Sequence, residues 1–202
     1  AGYFLSRCPN HIGMYLGLTG NSIGIGDAIS CKLVSAYIPS GQLPDFISCL
    51  TAQDLRLKPL DTIDSVIARY KQSSATQDLK PYIKTIEHCF NDTSVVNIIR
   101  NLESDGSSWA NAQVNILKKR SPTALKVTMR LLSMCDNLNL NLRACLNINL
   151  NLTLKLFQEH DIYEGIRAVL IDKTHDANWQ PNTLDAVSDT FIEQLFEIKC
   201  KL

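Results

Sequence analysis

The chain has 202 residues, of which 45% are hydrophobic and 20% are charged, and this composition is typical of a folded globular protein rather than a disordered one. Twenty basic residues balance twenty acidic ones, so no overall charge attracts the chain to nucleic acid or to an anionic membrane. No run of apolar residues reaches the roughly 18 that a membrane span requires.

The cysteines indicate neither a metal site nor a disulfide framework. They are scattered without C-x-x-C spacing, and their number, seven, is odd. Zinc sites use closely spaced pairs, and disulfide frameworks use an even number. We therefore expect reduced, buried or half-buried thiols in a reducing compartment and no metal.

The first residues of the chain are unusual for a natural terminus. AGYFL is apolar and lacks an initiator Met, and no basic segment followed by an apolar core opens the chain. The sequence therefore predicts a fragment that begins inside a fold.

The first half of the chain carries signals for short helices and one strand. Gly20 suits the residue that follows a helix, and Asp61 suits an N-cap. VSAYIP at 34–39 predicts a short strand that Pro39 stops. The predicted helices span 11–19, 27–33, 41–50 and 61–72.

The second half carries clearer start and stop signals. Ser94, Ser107 or Ser108, and Ser121 suit helix N-caps, and Pro122 suits the first helical position. A helix that begins after Ser94 would stop at Gly106. The predicted helices span 81–90, 95–105, 108–120, 122–135 and 188–199.

Residues 138–156 fit two different hydrophobic periods, that of a strand and that of a helix. Their sequence is LNLNLRACLNINLNLTLKL. Every even position is apolar, which is typical of a half-buried strand, but one strand of this length would span about 60 Å. The same pattern places Leu138, Leu142, Leu146, Leu150 and Leu154 four residues apart on one helix face. A second row holds Leu140, Ala144, Ile148, Leu152 and Leu156. We predict a helix that is buried between layers because it is apolar on two sides.

Familiar catalytic and cofactor motifs are absent. GNSIGIGD at 20–27 lacks the preceding strand and the third glycine of a dinucleotide loop, and the histidines lack ligand spacing. Asp161 suits the cap of the following helix. Glu164 suits an ion pair with Arg167 three residues on, although a lone carboxylate can also act as an acid or a base.

Several stretches together resemble the 3-hydroxyisobutyryl-CoA hydrolase branch of the crotonase (enoyl-CoA hydratase/isomerase) superfamily. The likeness covers nearly the whole chain and is weakest at 51–100. Two positions depart from the family pattern: Lys32 stands where Gly is usual, and Asn149 stands where Glu is common. The stretches are YFLSRCP (3–9), GMYLGLTG (13–20), DGSSWA (105–110), SPTALKVTMR (121–130) and, most specifically, HDIYEGIRAVLIDK (160–173) with Trp179 and Pro181.

The resemblance implies a mainly α-helical C-terminal part of a crotonase (ClpP/crotonase-like) fold, with one or two short strands near 33–38. Residues 1–50 would end the crotonase core, and 51–202 would form a C-terminal helical domain. The implied reaction is hydrolysis of an acyl-CoA thioester in valine degradation, with coenzyme A as part of the substrate and no other cofactor. The implied compartment is the bacterial cytoplasm or the mitochondrial matrix. The resemblance is also compatible with a homo-oligomer.

The resemblance assigns no catalytic residue to this chain, because the family's oxyanion-hole amides and acidic residues lie upstream of the segment that matches AGYF. Those groups would stabilise an oxyanion and activate water. The chain as given is therefore expected to be inactive. The binding residues implied by the resemblance are Tyr3 and Phe4 beside that upstream loop, Ile162, Tyr163 and Glu164 in the wall of the acyl pocket, and Phe196 and Lys199 near the CoA adenine.

Two alternatives remain open from the sequence. The full protein could instead be an enoyl-CoA hydratase or isomerase, because these enzymes share this half of the fold. A stand-alone helical binding module is the alternative from another class, and the apolar start of the chain argues against it.

Overall fold

The computed structural model describes residues 2–73 and 76–197. This part of the chain is α-helical, and none of its helices is both long and apolar enough to cross a membrane. Short 3₁₀ turns lie at Ser40–Gln42 and Lys80–Tyr82, and a π-helical turn lies at Arg167–Ile171. The helices are α1 (Gly2–Leu5), α2 (Ile12–Thr19), α3 (Ile25–Ser30), α4 (Leu43–Thr51), α5 (Pro59–Tyr70), α6 (Ile83–Cys89), α7 (Val95–Asp105), α8 (Ser108–Leu117), α9 (Pro122–Asn137), α10 (Leu142–Leu156), α11 (His160–Ile166) and α12 (Asp189–Phe196).

The prediction of a short strand near 33–38 was wrong. Tyr37 makes one isolated antiparallel bridge with Gln72, whose backbone N–H donates to the Tyr37 carbonyl at 2.9 Å. A strand exists only as part of a ladder of such bonds. No described segment extends this bridge into a ladder, so the β-branched and aromatic residues of 34–39 do not form a strand.

The described residues form two compact units, one drawn from 1–22 and 82–202 and the other from 23–81. The boundary at residue 50 that the resemblance implies concerns a longer fold and stays a prediction. Within 23–81, the buried Asp27 carboxylate accepts the backbone N–H groups of Asp78 and Leu79 at 3.1 and 3.2 Å. These bonds tie the end of the unit to α3.

Lys32, one of the two departures from the family pattern, lies just after α3. Its φ is +59°, in the left-handed region that glycine adopts at little cost and other residues adopt with strain. The backbone at this position therefore suits the Gly that the resemblance leads us to expect there.

The larger unit is built around α2, which packs against α1, α6, α8 and α9. The approach of α1 to α2 is close at Gly13, where an added Cβ would lie 1.7 Å from the carbonyl oxygen of Leu5. Only glycine fits at this contact. The largest side chains fully buried in this unit are Phe90, Ile86, Ile98, Leu102 and Leu117.

Most of the predicted helix ends are confirmed. The side chains of Ser107 and Ser121 accept the backbone N–H three residues on, at 3.2 and 3.1 Å. Ser188, which was not predicted as a cap, makes the same contact at the start of α12 at 3.1 Å. Gly20 and Gly106 end their helices with φ of +68° and +69°. The prediction of Asp61 as an N-cap was wrong, because α5 begins earlier, at Pro59.

The helix predicted over 138–156 is confirmed for Leu142–Leu156, and Asn141 caps it through the Ala144 N–H at 2.9 Å. Residues 138–141 are not helical and connect α9 to α10. Its expected burial on two sides was wrong. Ile148, Leu152 and Leu156 of one row pack with the core, whereas all five leucines of the other row are exposed. Four of them lie on α10, and we call these four, Leu142, Leu146, Leu150 and Leu154, the outer row of α10. The described elements cover only one side of the helix.

Candidate functional site

The HDIYEG motif forms α11, which begins at His160. The preceding Glu159 is extended and makes no side-chain cap. Asp161 was predicted to cap this helix, and that prediction was wrong. It lies one residue inside the helix instead, and its carboxylate is used for contacts to other segments.

Asp161 joins three parts of the chain. Its Oδ2 accepts the Ser121 hydroxyl at 2.5 Å, and its Oδ1 accepts the Gln180 backbone N–H at 2.8 Å. Ser121 in turn accepts the Ala124 N–H at the start of α9. The start of α9, the start of α11 and the segment around Gln180 are therefore held together by one carboxylate.

Arg167, at the beginning of the π-helical turn, forms a second polar cluster. Its guanidinium donates to both oxygens of Glu164 at 2.9 and 2.8 Å, which confirms the predicted pair. It also donates to Asp172 at 2.6 Å and to Asp176 at 3.2 Å. The Asn178 backbone N–H donates to Glu164 at 2.6 Å. These bonds fasten the segment 172–178 onto α11.

The electrostatics of this cluster favour a structural role for Glu164. The hydrogen bonds from Arg167, and then the bond from the Asn178 amide, lower the pKa of Glu164 to about 2. The hydroxyl of Thr174, and then Arg167, lower the pKa of Asp176. Glu164 is therefore ionised at neutral pH and holds no proton to donate, so it is a poor general acid there.

Trp179 continues the same segment and lies across α11. Its indole N–H donates to the carbonyl of Lys119 at 2.9 Å. A Cβ added to Gly165 would lie 3.4 Å from the indole ring. The lack of a side chain at Gly165 of the HDIYEG motif therefore allows the ring to pack closely against α11.

An apolar cavity of about 620 Å³ lies between these elements. Its size is within the range of sites that bind small molecules. The Asp161–Ser121 pair lies in its wall, and most of the remaining wall is apolar. The apolar lining includes Leu18 of α2, Leu125 of α9, Ile162 of α11 and Phe191 of α12, together with Trp179 and Val187 from the segment before α12.

The three residues predicted on α11 differ in their positions. Ile162 lines the cavity. Tyr163 is exposed, and its hydroxyl donates to the Phe157 carbonyl at 2.9 Å. The Glu164 side chain, only 12% exposed, is held by Arg167. Neither Tyr163 nor Glu164 is among the described residues that line the cavity, and their assignment to substrate binding stays a prediction.

Tyr3 and Phe4 lie next to each other on α1, with their ring centroids 5.2 Å apart and nearly perpendicular. The Arg7 guanidinium lies 4.0 Å from the centre of the Tyr3 ring and donates to the Leu140 carbonyl at 2.7 Å. Phe4 is 55% exposed. The structure places these rings together, but neither is among the described residues that line the cavity.

The predicted CoA-binding pair is described only in part. Phe196 is half-buried at the end of α12 and packs against the core cluster of Val127, Leu152 and Leu195. The Arg130 guanidinium lies 5.8 Å from the centre of its ring. Lys199 lies outside the described residues, and the role of the pair stays a prediction.

Several residues at the cavity were missed by the sequence reasoning as site residues. Trp179 was quoted only as part of the resemblance, and Phe191 lay only within the helix predicted over 188–199. Thr123 gave no signal beyond its place after Pro122. Among residues 2–73 and 76–197, no group of three His, Cys, Asp or Glu side chains is placed to hold a metal, and no disulfide joins the described cysteines.

Two solved structures match this arrangement of helices. The crystal structure of a carnitinyl-CoA dehydratase from Mycobacterium thermoresistibile aligns with a TM-score of 0.86 at 26% identity, over 99% of this chain and 55% of that one. An enoyl-CoA hydratase from Rhodobacter sphaeroides 2.4.1 aligns with a TM-score of 0.82 at 27% identity, over 96% of this chain and 54% of that one. The fold is thus the helical C-terminal part of a crotonase fold.

The sequence comparisons agree with the structural ones. The family model described as Enoyl-CoA hydratase/isomerase matches residues 1–196, and the chain belongs to that family. The mitochondrial 3-hydroxyisobutyryl-CoA hydrolase of Xenopus tropicalis is 35% identical over 96% of this chain and 51% of its own length. The human protein of the same name is 32% identical over 97% of this chain. The chain spans about half the length of these curated relatives.

Proposed function

We propose that the chain is the helical half of an acyl-CoA thioester hydrolase that acts on 3-hydroxyisobutyryl-CoA or a related thioester. The observation that carries the proposal is the 35% identity to a 3-hydroxyisobutyryl-CoA hydrolase across 96% of the chain. The coarser statement, membership of an acyl-CoA-processing family, rests on the family match over residues 1–196.

The cavity beside α11 supports a binding role for this half. Ile162, which the resemblance assigned to the acyl pocket, lies in its wall. An apolar wall suits the hydrocarbon part of an acyl group, because burying that surface removes it from water. In this proposal Asp161 and Arg167 act as positioning residues, because they hold the segment that carries Trp179 against the cavity.

The proposed reaction adds water to the thioester carbonyl and releases a carboxylic acid and the thiol of coenzyme A. It needs donors for the developing oxyanion and a group that activates water. We propose that both come from the half of the fold that the relatives have and this chain does not span. The chain would then contribute binding and positioning and no proton transfer.

A chimera tests this division of labour. The N-terminal half of the Xenopus tropicalis relative is joined to the 202-residue chain, and release of thiol from 3-hydroxyisobutyryl-CoA is followed with a thiol reagent. We expect turnover by the chimera and none above buffer by the chain alone. Turnover by the chain alone would contradict the proposed location of the reactive groups, and a folded but inactive chimera would contradict the hydrolase proposal.

An enoyl-CoA hydratase or isomerase is the second candidate. It is favoured by the solved structures, because those with TM-scores of 0.86 and 0.82 are a carnitinyl-CoA dehydratase and an enoyl-CoA hydratase. The chimera distinguishes the two if crotonyl-CoA is tested beside the hydrolase substrate. Loss of the crotonyl double bond without thiol release would favour the hydratase.

Two further parts of the proposal concern coenzyme A and the compartment. We propose that Phe196 and Lys199 contact the CoA adenine, and a tighter CoA complex of the chimera than of its Phe196→Ala variant would support this.

We propose the mitochondrial matrix as the compartment, because the names of the Xenopus and human relatives include "mitochondrial". Fractionation of cells that express the complete protein tests it.

A further inference from the structure

Thr123 lies in the first turn of α9 and lines the apolar cavity. The residue is only 5% exposed. Its hydroxyl has no hydrogen-bond partner among the residues that the structure describes, although the neighbouring Ser121 hydroxyl has two. A buried polar group in this position requires an explanation, because nearly all such groups are hydrogen-bonded.

The start of α9 places a second hydrogen-bond donor beside the Thr123 hydroxyl. The first N–H groups of a helix have no intrahelical acceptor, and Ser121 takes the one from Ala124. Pro122 has no N–H, so Thr123 carries the first amide of the helix. A partner that lies in the cavity could therefore meet both the hydroxyl and the amide of Thr123.

The charges around the cavity restrict that partner to a neutral group. The carboxylate residues Glu159 and Asp161 are part of the described lining. Arg120 is the one cationic residue of that described lining, and its guanidinium is already bound to the Thr19 carbonyl at 3.0 and 2.5 Å. An anionic ligand would meet like charge at Asp161, whereas a hydroxyl or carbonyl oxygen would not.

We propose that the cavity binds an apolar group that carries one neutral oxygen, and that Thr123 hydrogen-bonds to this oxygen. The inference extends the proposed function, because the acyl part of a hydroxyacyl or oxoacyl thioester has this chemistry. Thr123 would then select, among acyl groups of similar size, those with an oxygen on the chain.

Two probes of nearly equal shape test the proposal on the 202-residue chain. Heptan-2-one carries the neutral oxygen, and 2-methylhept-1-ene replaces that oxygen with a methylene group. Trp179 lines the cavity and reports binding by its fluorescence. The Trp109→Phe background removes the other tryptophan, which is not part of the described lining.

The variants are Thr123→Val, which removes the hydroxyl at nearly constant shape, and Thr123→Ser, which keeps it. We expect Thr123→Val to weaken heptan-2-one about two- to tenfold, as for loss of one neutral hydrogen bond, and to leave 2-methylhept-1-ene within about twofold by the same reasoning. Thr123→Ser should retain the preference for the ketone. Thr85→Val, at a half-buried threonine of α6 outside the described lining, is the control.

The proposal is overturned if heptan-2-one does not bind, if the wild-type chain binds both probes equally, or if Thr123→Val loses both probes alike while Thr123→Ser does not. If Thr123→Val does not fold, the wild-type preference and the Thr123→Ser result decide. The result is independent of hydrolysis, because neither probe is a thioester. An inactive chimera would therefore contradict the proposed function without touching this site.

Discussion

The cavity wall and the outer row of α10 are fixed in opposite ways. At the cavity, Asp161 and Arg167 hold three segments through directional hydrogen bonds of 2.5–3.2 Å. On α10, Leu146, Leu150 and Leu154 project from a regular helix and are more than half exposed. The shape of the cavity wall is therefore set by specific polar contacts. The outer row of α10 lies on a regular helix, but no element in the described part of the chain covers it.

The difference shows what a strongly periodic sequence can and cannot specify. The alternation in α10 gives both rows of the helix nearly the same apolar character. Which row is buried is then decided by the neighbours, and Ile148, Leu152 and Leu156 face the core cluster that α9 and α12 share. The position of Asp161 in the cavity wall needs no such choice, because its carboxylate bonds specifically to the Ser121 hydroxyl and the Gln180 N–H.

The largest effect is expected within α10 itself. Leu152→Ala, at a residue 3% exposed, should lower the free energy of unfolding by about 2–5 kcal/mol because it leaves a cavity in the core. Leu150→Ala, at a residue 59% exposed, should change it by less than about 0.5 kcal/mol. Urea unfolding followed by circular dichroism measures both. Equal losses would mean that the outer row is also buried.

Removing the N-caps of α9 and α10 should change the free energy of unfolding by less than Leu152→Ala does, and by different amounts. Ser121→Ala removes the cap of α9 and the hydrogen bond to Asp161, so we expect a loss of about 2–3 kcal/mol. Asn141→Ala removes only the cap of α10, for which we expect about 1 kcal/mol. The same unfolding measurement decides, and equal losses would show that the Asp161 contact does not stabilise the cavity wall.

Acid should weaken the Arg167 cluster selectively. The pKa of Glu164 is lowered from 4.5 to about 2 by its hydrogen bonds. Its contribution to stability is therefore fully present above about pH 4.5 and is lost as the pH falls towards 2. The melting temperature of the wild type should exceed that of Glu164→Gln at pH 7, and the difference should shrink over this window.

Glu87→Gln, at an exposed glutamate of α6, is the matched control for the loss of one carboxylate. A difference between wild type and Glu164→Gln that stays constant from pH 7 to acid would show that the ionised pair does not hold the segment 172–178.

The smallest effect on stability is expected for polar changes in the outer row. Leu146→Asn together with Leu150→Asn should leave the melting temperature almost unchanged but reduce self-association in sedimentation velocity, because exposed apolar patches favour association. Ala112→Asn, at an exposed position of α8, is the control. A monomeric wild-type chain at high concentration would contradict the expectation.

Local signals in the sequence predicted much of the fold. Ser107 and Ser121 cap the helices they were expected to cap, because an N-cap acts on an amide only three residues away. The length argument placed residues 138–156 in a helix for a similarly local reason, and Leu142–Leu156 form one. Tyr37 failed as part of a strand because a strand needs a distant partner, and Gln72 supplies only one bridge.

The candidate site was predictable only in part. The Glu164–Arg167 pair follows from a spacing of three residues on a helix. The contacts of Asp161 to Ser121 and Gln180 link positions 40 and 19 residues away, and no local pattern marks them. Thr123 could not be predicted as a site residue for the same reason. It lines a cavity whose walls come from separate helices and from the segment before α12.

The composition of α10 has one more consequence. Arg143 and Lys155, near its two ends, are its only charged residues, and asparagine and leucine make up most of the stretch between them. Any association through the outer row would thus have little ionic character, and screening by sodium chloride would not release it. Sulfate salts, which are excluded from protein surfaces, should strengthen it, so we expect sulfate-free buffer with a mild detergent to keep the chain dispersed.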